Sequence, residues 1–207
     1  MFTGIITLIG TIDGIKHILD DSNSGLLITI KATQDYVSDI IIGDSISVQG
    51  ACMTVVDKDY DKFYINVSKE SLNCTYGLDI IGNQVNLEKS MKLGEKIGGH
   101  ILYGHIDCIG KVKDIFSINE SLNLIINIPI SYLSYFIYKG SVAIDGVSLT
   151  VNKIDIEQNY NSFNINLNII PHTLKNTTLK FLKKLSLVNI EIDIVARYII
   201  QFINNNH

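Results

Sequence analysis

Two positions in this chain of 207 residues set a nucleophile-type side chain in the same surroundings. Cys52 lies in Gly50-Ala51-Cys52-Met53-Thr54 and Ser148 lies in Gly146-Val147-Ser148-Leu149-Thr150. A threonine follows each by two residues, Thr54 and Thr150, and residues two apart on a strand share a face. Each pair can therefore offer two polar groups to one pocket. Core packing is the competing reading for Cys52, because free cysteine is among the most buried residue types. Two histidines, His100 and His105, fall in the run from Gly98-Gly99 to Ile106-Asp107. Five apart on a straight strand they would face opposite sides, which makes them a poor metal pair. A histidine here is either a general base, since its pKa lies near physiological pH, or one held by backbone carbonyls. The Gly98-Gly99 pair points to a bend or a close backbone approach. Hydroxyls at Ser71 and Thr173 each follow a predicted strand, where they either bind a polar ligand edge or cap a turn. No phosphate-binding loop is present: GxxxxGK[ST] is missing and no GxGxxG opens a helix.

These residues recur because the chain repeats itself. Residues 43–55 return at 139–151, residues 67–75 at 169–177, residues 84–88 at 187–191 and, more loosely, residues 1–6 at 101–106. An offset that stays near 100 residues marks a duplicated domain, not a solenoid with its shorter period. Runs at 45–48, 53–56, 63–67, 122–128 and 163–169 read as short strands, several of them alternating apolar and polar residues. A turn is expected at Gln49-Gly50, and Asn/Asp/Gly clusters punctuate 20–25, 57–61 and 157–161. Helical turns are expected at 34–40 and 130–137, each leading to a glycine, Gly43 or Gly140, that could stop it. Six or so strands per repeat predict an all-β fold of two similar six-stranded Greek-key barrels. The join is expected in the polar stretch 92–96. After the second barrel, Val195, Ile199 and Phe202 recur at helical spacing, so a C-terminal amphipathic helix is expected. It either packs on its own barrel or joins subunits. The resulting domains are 1–95, 96–192 and 193–207.

Composition narrows the function. A net charge of −4 argues against nucleic acid and anionic membranes as partners. No apolar run reaches the ~18 residues of a membrane span, and the first ten residues lack the features of a signal peptide. Three cysteines without a CxxC pair fit a reducing cytoplasm.

Taken together, the opening Met1-Phe2-Thr3-Gly4-Ile5, the Gly50–Thr54 motif, GGHxxxGHxD at 98–107 and IDGxSLTV at 144–151 resemble the alpha-chain riboflavin synthases. The resemblance runs in order through both repeats to about Asp193. It implies two lumazine-binding barrels and a helix that joins three subunits into a homotrimer. It also implies dismutation of two 6,7-dimethyl-8-ribityllumazine molecules, without metal or redox cofactor. One lumazine gives a four-carbon unit to the other, yielding riboflavin and 5-amino-6-(ribitylamino)uracil. The working pair of barrels would come from neighbouring subunits, and lumazine synthase is a possible partner. Carried over by position, Cys52, His105, Asp145, Ser148 and Thr150 are the implied catalytic residues, with His105 supporting Ser148 and Thr150 across the interface. Thr3, Gly4, Ser45, Thr54 and Ser71 would line the N-terminal pocket, and Tyr103, Gly104, Thr173 and Asp193 the C-terminal side. Tyr103, Ser71 and His172 depart from the residues usual at their positions. The rival class is a non-catalytic lumazine- or flavin-binding protein of the same superfamily, which would tend to lack the reacting side chains.

Overall fold

The computed structural model describes residues 1–19, 21, 24–157 and 161–205. The first repeat contains β1 (Leu8–His17), β2 (Leu26–Lys31), α1 (Gln34–Ser38), β3 (Ser45–Val48), β4 (Ala51–Asp59), β5 (Lys62–Val67), α2 (Lys69–Cys74) and β6 (Gln84–Lys89). The second contains β7 (Cys108–Ile118), β8 (Ser121–Pro129), β9 (Ser141–Ile144), β10 (Val147–Ile156), β11 (Ser162–Ile169), α3 (Pro171–Asn176) and β12 (Leu187–Ile192), followed by α4 (Ile194–Asn205). Strands pair in the closed order β1-β2-β5-β4-β3-β6, and the second repeat closes in the same order. All ladders are antiparallel.

The period-2 pattern produces the cores. Phe63, Ile65 and Val67 of β5 point into the first barrel, and Phe163, Ile165, Leu167 and Ile169 of β11 into the second; all are fully buried. Each such side chain contributes roughly 1.5–3 kcal/mol of burial free energy. Bulges recur at matching places, between Ile12 and Gly14 and between Val112 and Asp114, and again between Val55 and Asp57 and between Val151 and Lys153. A bulge bends its strand, which helps a short sheet close.

Several local expectations change. The polar cluster at 57–61 does not break the chain at Asp57: β4 runs to Asp59, because the bulge restores its pairing (Asp57 to Tyr64, Lys58 to Phe63). The helical turn at 34–40 stops at Ser38, and that at 130–137 is a 3-10 turn over Ile130–Tyr135. Gly43 and Gly140 do not stop them. Asp39 and Phe136 already cap the turns, and the two glycines open the following hairpins by bonding Val55 and Val151. Helices α2 and α3 were not expected: Ser68 caps the first and Pro171 occupies the first turn of the second. Within the turn signals at 20–25 and 157–161, residues 20, 22, 23 and 158–160 lie outside the described residues. No helix among the described residues is long and apolar enough to cross a membrane.

Candidate active site

Cys52 and Ser148 sit just past the tips of two equivalent hairpins. β3 turns into β4 at Gln49-Gly50, with φ of 50° and 89°, and β9 turns into β10 at Asp145-Gly146, with φ of 50° and 80°. Two consecutive positive φ values define the tight hairpin turn whose twist suits the flanking strands. The tips meet glycine to glycine: a Cβ on Gly50 would stand 2.7 Å from the Gly146 nitrogen. A side chain at either glycine would push the barrels apart.

Around these tips the two barrels exchange hydrogen bonds under a local two-fold relation. Asn86 of β6 donates its side-chain N–H to the Asp145 carbonyl (2.9 Å), and Asn189 of β12 donates to the Gln49 carbonyl (3.0 Å). The backbone N–H of Thr178 donates to Asn86 Oδ1, and that of Tyr76 to Asn189 Oδ1, both at 2.7 Å. Asn86 and Asn189 are fully buried, so these bonds meet a need that water cannot.

The segment preceding each barrel then crosses to the other. Phe2 and Leu102 pair through two backbone bonds and are buried against Ala143, with Cys52 packed beside them. Glu88 accepts the Thr3 and Gly4 backbone N–H groups at 2.7 and 3.0 Å, and Glu191 accepts those of Tyr103 and Gly104 at the same distances. So anchored, Gly4 offers its carbonyl to the Ser148 N–H (3.0 Å) and Gly104 offers its own to the Cys52 N–H (2.9 Å). Each nucleophile-type residue is thereby held by the leader segment of the opposite barrel. Burial raises the pKa of Glu88 and pushes that of Glu191 up to about 7.

The two sites differ in chemistry. Cys52, Ser71, Gly104 and His105 share a cavity of about 310 Å³ with Ala51, Glu70, Cys74, Thr75 and Ile106. The Tyr103 ring stacks on His105 at a centroid distance of 6.1 Å. At the other site Ser148 Oγ lies 2.7 Å from His100 Nδ1, while His100 Nε2 is buried without a hydrogen-bond partner. Burial lowers the His100 pKa, and the nearby Asp193 charge only partly offsets this. Asp193 also caps α4 by accepting the Val195 N–H (3.0 Å). A neutral imidazole beside a hydroxyl can accept its proton, the arrangement needed for general-base work.

Within one chain the expected residues therefore divide. Cys52, Ser71, Gly104 and His105 gather at one site, and Gly4 and Ser148 at the other. Within the chain the histidine that meets Ser148 is His100, because residues 98–107 form a crossing segment, bridged at Leu102 to Phe2, and not a straight strand. Thr54 and Thr150 are exposed on the outer faces of β4 and β10, opposite Ser45 and Ser141. Thr173 lies half-buried on α3, where its carbonyl accepts from Thr177. Thr3 is buried on Glu88 and borders a different cavity, of about 490 Å³. Asp145 lies in the inter-barrel contact, where its carboxylate accepts the Asn189 N–H (2.8 Å) and burial pushes its pKa to about 7.

Sequence reasoning passed over His100 as the partner of Ser148, and over Glu88, Glu191, Asn86 and Asn189. Signals for all five were present. The four polar residues sit in the repeated motif at 84–88 and 187–191. For His100 the signal was Gly99, where a Cβ would stand 2.6 Å from Ser148 Oγ and 2.3 Å from the Thr3 carbonyl oxygen.

The family model described as "Lumazine binding domain" matches residues 3–90 and again 103–193. Among similar proteins, riboflavin synthase of Actinobacillus pleuropneumoniae is 40% identical over 204 residues, covering 98% of this chain and 90% of that one. Riboflavin synthase of Photobacterium phosphoreum is 37% identical (96% and 87% covered), and that of Bacillus subtilis (strain 168) 32% (99% and 90% covered). The solved structure of LumP with 6,7-dimethyl-8-(1'-D-ribityl) lumazine superposes with a TM-score of 0.78 at 26% identity, over 93% of this chain and 99% of that one. LumP with riboflavin superposes at 0.77 and 27% identity. With two matched repeats on two closed barrels, and relatives this similar along nearly the whole length, the chain belongs to the riboflavin synthase family of duplicated lumazine-binding barrels.

Proposed function

We propose that the protein catalyses the riboflavin synthase reaction: two molecules of 6,7-dimethyl-8-ribityllumazine give riboflavin and 5-amino-6-(ribitylamino)uracil. The observation that carries this reading is the pair of related but chemically unequal sites, a thiol at Cys52 in one barrel and the Ser148–His100 pair in the other. A dismutation needs two copies of one substrate in two different roles, and a duplicated fold whose copies have diverged at the reacting position supplies that.

The roles follow from the groups. A ring bound at Ser148 has a C7 methyl group made acidic by delocalisation into the ring. Neutral His100, acting through the Ser148 hydroxyl, takes that proton. The second ring, bound at the Cys52 cavity, is the electrophile, and His105 and Ser71 supply hydrogen bonds at its edge. Holding both rings in contact makes a bimolecular step effectively unimolecular. Thr54, Thr150, Ser45, Thr173, Asp193 and Tyr103 are proposed to border the rings. Asp145 and Thr3 are proposed to act by fixing the barrels and the leader segment.

The N-terminal lumazine-binding domain is proposed to span 1–95, the C-terminal one 96–192, and the subunit-joining helix 193–207. A homotrimer would bring the Cys52 site of one subunit to the Ser148 site of the next. The stripe on α4 supports this: Val195, Tyr198, Ile199, Phe202 and Ile203 stay between 45% and 71% exposed. Three free cysteines fit a cytoplasmic protein. Lumazine synthase, as supplier of the substrate, is the partner we propose for the assembly.

The test is incubation of the purified protein with 6,7-dimethyl-8-ribityllumazine, followed by absorbance. One riboflavin formed for every two lumazines consumed, without additives, is the expected result. Bound lumazine that persists unchanged would overturn the reading.

A further inference from the structure

The cavity at Cys52 holds a second thiol that the proposed reaction does not use. Cys74, the last residue of α2, borders the same 310 Å³ space and is exposed, while Cys52 is half-buried. The duplication makes this pair specific to the first barrel, since the equivalent positions in the second are Ser148 and Asn176. Cys108, the remaining cysteine, is packed against the core of the second barrel. Helix α2 is short: Leu72 packs, partly buried, against the first core, while Asn73 and Cys74 are exposed. It is held at its ends by the Ser68 cap and by the Thr75 hydroxyl donating to the Ser71 carbonyl (2.7 Å). A disulfide needs Cα atoms within about 7 Å, and the exposed end of α2 brings Cys74 to the wall of the same cavity that Cys52 borders.

We propose that Cys52 and Cys74 form a reversible intramolecular disulfide when a hydroperoxide is present, and that the bond closes the first barrel's cavity. The Cys74 thiolate attacks hydrogen peroxide, the O–O bond breaks, water leaves and Cys74 becomes a sulfenic acid. The Cys52 thiolate then attacks the Cys74 sulfur, the S–S bond forms and the hydroxyl departs with a proton as a second water. Two thiols are oxidised and one peroxide is reduced to two waters. Two small-molecule thiols return two electrons and two protons by successive exchange and leave joined as their own disulfide. Cys74 reacts first because it is the accessible one. Cys108 stays out of the reaction, since burial pushes its thiol up to about 12 and the thiolate is the reactive form. Transient, redox-sensing disulfides of this kind are the type that reducing compartments contain.

The consequence for binding rests on reading the cavity as a lumazine site; the bond itself does not. The experiment treats the full chain with hydrogen peroxide and maps peptides without reduction. A linked Cys52–Cys74 peptide, an intact mass lower by two hydrogens and full reversal by dithiothreitol are expected. Cys74→Ser should show none of these. Fluorescence titration with 6,7-dimethyl-8-ribityllumazine should fall from two sites per chain to one on oxidation. Cys74 driven to sulfinic or sulfonic acid, or linked only between molecules, would overturn the proposal. A linked peptide with lumazine binding unchanged would overturn the closure. Untreated protein that binds no lumazine but still forms the linked peptide would instead count against the lumazine-site reading.

Discussion

His100 and Ser148 carry the most specific chemistry in the molecule. A neutral imidazole has one accepting and one donating nitrogen. Nδ1 is engaged by the Ser148 hydroxyl, and Nε2 is the buried atom without a partner. That nitrogen is the one left for a bound ring or for a group from a neighbouring subunit. Ser148→Ala should therefore lower turnover by roughly 10²–10⁴-fold, the usual scale for a lost acid–base group. Lumazine affinity should change little. Stopped-flow turnover beside equilibrium titration separates the two, and equal losses in both would remove Ser148 from the chemistry. His100→Gln should act in the same direction and also alter the pH profile. Burial keeps the His100 pKa below its ordinary value, so wild-type kcat/KM should fall only once the pH drops below the usual histidine range. The variant should lack that acid limb. The site residues at Cys52 and Ser148 were legible because the duplication exposes them. Their partners were marked only indirectly, His100 by the glycine beside it, because a hydrogen bond between residues 48 apart depends on how the leader segment crosses from one barrel to the other.

At the level of elements, one buried carboxylate holds a crossing segment and another fixes a hairpin tip, and both are costly to ionise where they lie. Glu191 is buried and pushed to about 7, and so is Asp145 at the hairpin tip. Each retains its proton in the folded state at pH values where the unfolded chain has lost it. Their contribution to stability is therefore full below about pH 4, the unfolded carboxylate range, and is lost as the pH rises to about 7. Each unit of difference is worth about 1.4 kcal/mol. Glu191→Gln should flatten the fall in thermal stability over that window, read by calorimetry at several pH values; an unchanged slope would show that Glu191 does not contribute it. The glycines beside these carboxylates are equally constrained. Gly104 has a φ of 76°, and a Cβ there would stand 2.6 Å from the Cys52 nitrogen and Cβ. Gly104→Ala should cost about 2 kcal/mol or more from backbone strain and overpacking together, seen as a lower denaturation midpoint and weaker lumazine binding. Close approach was readable at Gly98-Gly99 from the glycine pair alone. The extension of β4 through Asp57–Asp59 was not, because its polar residues look like a turn until the bulge and the β5 partners are known.

For the whole molecule, the duplication was readable from a steady offset, and the equal strand order of the two barrels follows from it. The way the barrels meet was not, since it is built from single contacts between residues far apart in the chain, 59 positions for Asn86 with Asp145 and 140 for Asn189 with Gln49. The stripe on α4 was legible as amphipathic, but its use depends on what the helix already touches. Ala196 packs against the second barrel, and Arg197 pairs with Asp107 at 2.5 Å. These fix one face of the helix and leave Val195, Tyr198 and Ile199 outward, all more than half exposed. The proposed trimer is best tested on that outward face. Removing the helix would also delete the Arg197–Asp107 pair and disturb the second barrel. Tyr198→Glu with Ile199→Glu keeps both docking residues and places two like charges where three helices would converge. Sedimentation should show monomers in place of trimers, with lumazine affinity retained. Riboflavin formation should fall roughly 10²-fold, the cost of losing a fixed orientation between two reactants, and should rise with protein concentration as subunits are driven back together. A double variant that still sediments as a trimer would assign subunit contact to another surface. Monomers with full activity would mean that the Cys52 and Ser148 sites need no neighbouring subunit.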